Sequence, residues 1–96
     1  MPDHAHDVVN NPEKYRFEVI SGGLTSKLEY RLGRNRLALV HTEVPEELAG
    51  QGIGSALVTT ALTYAREHDL IVLPYCPFVA AYLERHPEWE DIVGEI

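Results

Sequence analysis

The residues best placed to do chemistry are the loop Gly50-Gln51-Gly52-Ile53-Gly54-Ser55, the single cysteine Cys76, and the pair His41 and Glu43. In the loop, three glycines alternate with other residues just before a stretch with helical spacing. The first amides of a helix have no partner inside it and carry the positive end of its dipole, so they receive phosphate. Glycine lets the backbone approach such a group with no Cβ in between, and Ser55 can add a hydroxyl. A mononucleotide P-loop would need Lys and then Ser or Thr after its last glycine, but Ser55 and Ala56 follow Gly54. A dinucleotide loop needs Gly-x-Gly-x-x-Gly after a parallel strand, and neither the spacing nor the preceding strands agree. The alternative is a plain helix-entry turn whose glycines serve only the backbone.

These groups depend on elements that the sequence also marks. Tyr15 to Val19 and Leu28 to Leu32 alternate apolar and polar residues, the period of a strand, and Arg36 to Val44 reads as a third strand, rich in Leu and Val. Ser21-Gly22-Gly23 and Gly33-Arg34-Asn35 separate them, which predicts an antiparallel meander. A helix is expected over about residues 53–68, because Ile53, Leu57, Ala61 and Ala65 recur every four positions. Leu70 to Leu73 reads as a short buried strand. Pro77 opens a second helix that ends before Pro87, and the tail adds a helical turn carrying Trp89. Residues 1–14 read as a polar lead-in. The fold class is therefore α/β (α+β), with a mixed, mainly antiparallel sheet of about four strands, in one domain spanning 1–96. His41 and Glu43, two apart on the third strand, share a face. Cys76 falls between the last strand and the second helix.

Composition narrows the functions. The net charge is −7, with 15 acidic and 8 basic residues, the basic ones scattered. Nucleic acid is not the expected partner, since phosphate backbones need clustered Lys and Arg. No apolar run approaches the roughly 20 residues of a membrane span. The start has no basic segment followed by an apolar one, which argues against a secretory signal. One cysteine allows no internal disulfide and fits a reducing, cytoplasmic setting. The histidines show no metal-ligand spacing beyond a weak His4-x-His6 pair, so no metal is expected.

The segment from His41 through Thr42-Glu43-Val44-Pro45 to Gly50-Gln51-Gly52-Ile53-Gly54-Ser55-Ala56-Leu57-Val58 resembles the cofactor motif of GNAT-superfamily acetyltransferases, Arg/Gln-x-x-Gly-x-Gly/Ala. Leu73-Pro74-Tyr75-Cys76-Pro77-Phe78-Val79-Ala80 is similar to a short, single-domain branch of that superfamily. The two stretches and their connection cover about residues 36–87. The resemblance implies acetyl-CoA as co-substrate. Backbone amides of Gln51, Gly52, Ile53, Gly54 and Ser55 would hold its pyrophosphate. Thr42-Glu43-Val44 would pair with the pantetheine amides as an added strand does. The thioester would lie between that strand and the one ending near Tyr75, facing Cys76. The motif's first position, usually Arg or Gln, is Ala49. The extra helices and final strands with which a full-length domain builds its acceptor pocket are not read here, so the acceptor amine stays unnamed.

The implied reaction, acetyl transfer to an amine, needs a base, a stabilised oxyanion and a protonated leaving thiolate. Glu43 or His41 could take the amine's proton; the bland alternative is a solvated pair at a strand end. Cys76 could accept the acyl group first, activated by a helix N-terminus, or could be a small buried apolar residue. Tyr82 reads as packing, because aligning Glu84-Arg85 with the family's Glu-Lys pair puts Leu83 at the tyrosine position. Tyr75 has no better claim as the acid. Two other readings remain open: a CoA-binding module without catalysis, and a protein-interaction domain whose glycine loop binds no phosphate.

Overall fold

The computed structural model describes residues 6–95. Its centre is the hairpin of β2 (Arg16–Ser21) and β3 (Leu24–Gly33). Gly22 and Gly23 form the two-residue turn, with φ of +58° and +79°. Such paired left-handed residues match the twist of hairpin strands, and glycine adopts them without steric cost. β3 turns back through Asn35 into β4 (Arg36–Glu43). α1 (Ile53–Glu67) then crosses to β5 (Ile71–Pro74), which lies parallel to β4, and α2 (Pro77–Arg85) follows. The mixed, mainly antiparallel sheet expected from the sequence is what forms.

It has one strand more than the sequence indicates. β1 (Val9–Asn11) pairs antiparallel with β2 inside the stretch read as lead-in. Two asparagines before a proline look like a turn, and three residues carry no period. The strand is fixed from outside, by its pairing with β2 and by the Tyr30 hydroxyl donating to Asn10 Oδ1 at 2.8 Å. The sheet order is β1-β2-β3-β4-β5. The polypeptide then returns so that Val93 bridges Val72, beyond β5.

One sheet face is closed by α1. Phe17, Val19, Leu28, Tyr30, Leu37, Leu39 and Val72 meet Leu57, Val58, Ala61, Leu62 and Ala65 of the helix in one buried cluster. α2 adds Val79 and Tyr82. Trp89, on a 3-10 turn over Pro87–Ile92, packs against the cluster under the Arg66 guanidinium, 4.4 Å from its ring centroid. The other face is polar. The link from β1 to β2 is only a 3-10 turn, Pro12–Lys14, too short to lay a helix across that face. No helix among the described residues is long and apolar enough to cross a membrane.

Glu18 stands on the polar face and is nearly buried. It accepts from Arg16 Nε and Asn11 Nδ2. The Arg16 hydrogen bond holds its carboxyl below the usual range, against the opposing effect of burial. A carboxylate whose folded value is depressed contributes stability above its unfolded pKa, and loses it as pH falls through the folded value. Glu18→Gln should therefore lower stability at neutral pH by about 1–2 kcal/mol. The difference from the parent should shrink below pH ~4. Urea unfolding at both pH values checks this.

Candidate functional site

β4 and β5 run together and then part. Their register extends from Arg36↔Ile71 to Leu39↔Pro74, and one further link joins them, Cys76 N donating to Leu39 O at 2.9 Å. β4 continues to Glu43, still paired with β3 through Lys27↔Glu43. On its β5 side, Val40 to Glu43 has no strand partner among the described residues. Prolines cause the parting. Pro74 ends the ladder, and Pro77 keeps Cys76 extended, at φ −76° and ψ 127°, before starting α2. The result is a cleft between two parallel strands, open where backbone N–H and C=O groups of β4 are unpaired.

A bulge decides which side chains face which way. Glu29 pairs with His41 and Tyr30 with Leu39, so Val40 is an extra residue in β4. Without it, His41 and Glu43 would follow Leu37 and Leu39 into the core. With it, Thr42 opposite buried Leu28 faces the helix side, and His41 and Glu43 face the open side. There His41 Nε2 lies 3.3 Å from Glu43 Oε1. Lys27 Nζ lies 3.8 Å from Glu43 and 3.3 Å from Glu29. The shared face expected for His41 and Glu43 is present. Lys27, their charge partner, went unnoticed in the sequence because pairing register cannot be read from one strand.

On the helix side, Thr42 Oγ1 and Cys76 Sγ are 3.3 Å apart. Cys76 is 4% exposed. The structure thus brings Thr42 to Cys76 and His41 to Glu43, on opposite faces of one strand. Tyr75 is exposed beside the cleft. Tyr82 is not near it in function: its hydroxyl bonds Thr59 Oγ1 at 2.9 Å and its ring stacks on His86, so it ties α2 to α1.

The glycine loop stands between two buried anchors, Leu48 and Ile53. β4 does not lead into it directly, because a 3-10 turn over Glu46–Leu48 intervenes. Gly50 and Gly52 both have φ +81°, and a Cβ on either would meet nothing within 4 Å. Their requirement is conformational, and the space in front of them is open. Gly54 differs: a Cβ there would come within 2.7 Å of the Phe78 ring. It lets α2 pack close to the start of α1. The first helical hydrogen bond is Ala56 N to Gly52 O, at 3.0 Å, so Ile53, Gly54 and Ser55 keep amides with no acceptor in the helix. This cradle fits a phosphate-bearing ligand in shape and polarity. Ala49 closes the preceding turn through its amide to Glu46 O. His6 reaches the loop from the other end of the chain, its Nε2 2.6 Å from Gln51 O. His4, the other half of the histidine pair, lies outside the described residues. Val44 packs against the core beneath the end of β4.

Comparison with known proteins agrees with this geometry. The profile of the GCN5-related N-acetyl-transferase family matches residues 15–92. Protein NATD1 of Homo sapiens is 34% identical over 56 residues, 58% of this chain and 50% of that protein. Protein NATD1 of Xenopus tropicalis is 32% identical over 56 residues, 58% of this chain and 51% of that protein. The chain thus spans about half the length of the curated relatives it matches. An NMR solution structure of a GCN5-like protein from Staphylococcus aureus superposes with a TM-score of 0.74, at 24% identity, over 98% of this chain and 93% of that one. That likeness establishes the fold, and the profile match establishes descent: the chain belongs to the GCN5-related N-acetyltransferase family.

Proposed function

We propose that residues 1–96 act as one minimal domain that binds acetyl-CoA and transfers its acetyl group to an amine. The observation that supports this most is the parting of β4 from β5 beside the cradle that opens α1. Amides of Gln51, Gly52, Ile53, Gly54 and Ser55 would receive the pyrophosphate, with the helix dipole favouring its charge. The unpaired edge at Thr42, Glu43 and Val44 would take the pantetheine amides as a strand takes a neighbour. Tyr75 and Cys76 would border the thioester.

The amine would approach from the open face. There Glu43 or His41 accepts its proton as the nitrogen attacks the acyl carbon. The carbon–sulfur bond breaks, its electrons leave on the CoA sulfur, and a proton restores the thiol. Cys76 is poorly placed for a covalent detour. Its sulfur is buried on the opposite face of β4 and engaged with Thr42, so the geometry favours direct transfer. Intact mass after mixing with acetyl-CoA should accordingly show no acetylated Cys76, while thiol release in the presence of an amine panel proceeds. An acetyl adduct on Cys76 that an amine discharges would instead make Cys76 the first acceptor.

A CoA-binding module without catalysis is the second reading, favoured by a β1–β2 link that, among the described residues, is a 3-10 turn and lays no helix across the open face. Binding of acetyl-CoA with no thiol release on any amine would support it. The domain would lie in the cytoplasm, with no metal and no nucleic acid in its chemistry.

A further inference from the structure

β3 is longer than the strand that covers it. β2 pairs with Leu24 to Glu29, and among the described residues the one further backbone link on that side is Tyr30 N to Tyr15 O, at 2.9 Å. Beyond it, Arg31 and Leu32 overhang the Pro12–Lys14 turn and leave a notch of about 570 Å³ lined by Lys14, Tyr15, Glu29, Arg31 and Leu32. Two cations converge there in a chain of net charge −7. Among the described residues neither Lys14 nor Arg31 forms a contact ion pair, although the Lys14 charge is felt by Glu18; Arg31 Nη1 donates to the carbonyl of Tyr30, at 3.1 Å. Tyr15 is held in the left-handed region, φ +55°, at the end of the turn, with an exposed ring. The inner end of the notch has the opposite character. Glu29 sits directly across from His41 and continues into the Glu43 carboxylate through Lys27.

We infer that this notch is the carboxylate subsite for the acceptor, and that the acceptor is an amino acid acetylated on a side-chain amine. The inference rests on the acetyl-transfer reading and adds the substrate class. Lys14 and Arg31 hold the carboxylate, Arg31 offering its fork of donors. Tyr15 and Leu32 complete the lining around the carboxylate. The amine reaches the Glu29–His41 pair and the cleft behind it. Arg31 lies on the same face as Glu29 and two residues along, a diagonal of roughly 7–8 Å from His41. An extended chain of four methylenes spans about 7–7.5 Å from amine to carboxylate carbon, six bonds of roughly 1.5 Å at tetrahedral angles, so lysine has the right reach. Transfer forms the nitrogen–acyl carbon bond and breaks the thioester carbon–sulfur bond; the proton lost by the neutral amine passes to the His41–Glu43 pair and ends on the departing thiolate, which leaves as the CoA thiol.

The test is an NMR titration of the isotope-labelled chain, saturated with CoA, by lysine and by cadaverine, the same diamine skeleton without the carboxylate. Lysine should shift the amide signals of Tyr15, Arg31 and Leu32, and should bind about tenfold more weakly to Lys14→Gln/Arg31→Gln. Cadaverine should bind both forms alike. Equal affinity of the parent for the two ligands overturns the inference, as does lysine binding that bypasses Tyr15 and Arg31, or no binding of lysine or its shorter homologue ornithine. Both substituted side chains are exposed, and the amide spectrum itself reports folding. Failure of the acetyl-CoA reading would show separately, as CoA shifting no signal in the Gly50–Ser55 loop.

Discussion

Gly52→Asp is expected to weaken acetyl-CoA binding by about 100-fold or more. The residue is the N-cap of α1 with φ +81°, and a Cβ there meets no atom within 4 Å. Space is therefore not the obstacle. Asn and Asp tolerate the left-handed region better than other residues, at a cost of about 1–2 kcal/mol. What Asp adds is a negative charge in the place proposed for pyrophosphate. Two unit charges at 4 Å repel by about 4 kcal/mol at an effective dielectric constant of 20. Salt and solvent at this open loop reduce that toward the ~2.7 kcal/mol equivalent to about 100-fold. Gly52→Asn separates charge from conformation: it has the same shape and the same φ demand, and should lose about tenfold at most. Equal losses for Asn and Asp, measured by calorimetry, would place the phosphate elsewhere.

Removing the base should have the largest effect on turnover. Positioned acid–base groups contribute roughly 10²–10⁴-fold, so Glu43→Gln or His41→Gln, whichever acts, should lower kcat/KM by that factor. The two side chains are 3.3 Å apart, and the supporting partner should cost about tenfold or less. The double variant should fall no further than the deeper single one, because groups that act as a unit are not additive. Acetyl-CoA affinity should hold in all three, since both side chains leave β4 on the open face and the proposed cofactor contact there is backbone. Initial rates on an amine acceptor, with affinity measured alongside, make the check. Near-parental rates in the double variant would remove both residues from the chemistry.

The parts of the fold that were legible are those in which one physical requirement leaves a local mark. α1 shows its face through apolar residues four apart, and Leu57, Ala61 and Ala65 are buried as that spacing demands. The glycine loop announces itself because two of its positions need positive φ and its last must admit Phe78. The β2–β3 hairpin was only half visible. Its strands run up to Gly22-Gly23, but Ser26 occupies an inward position and is fully buried. A polar residue in an apolar slot broke the alternation, so Leu24 to Lys27 did not read as strand. β1 left no local mark, being held by register and by Asn10.

The site divides in the same way. Cys76 and Thr42 are 34 positions apart, and only the crossover through α1 brings them to 3.3 Å. The bulge at Val40 is the feature least available to sequence. Leu37, Leu39, His41 and Glu43 keep a perfect period of two, which by itself puts all four on one face. The extra residue turns the last two outward, and the proposed division into a buried thiol side and an open base side follows from that residue. Lys14 and Arg31, scattered in the chain, converge only because β3 outruns β2.

The most direct test of the central claim is a calorimetric titration of acetyl-CoA, then of free CoA, into the purified chain at moderate salt. The account predicts saturable binding of one molecule of each, with either ligand competing against the other, because both share the pyrophosphate and pantetheine contacts. No heat and no competition at millimolar ligand would contradict it, and would leave the cleft between β4 and β5 without its proposed occupant.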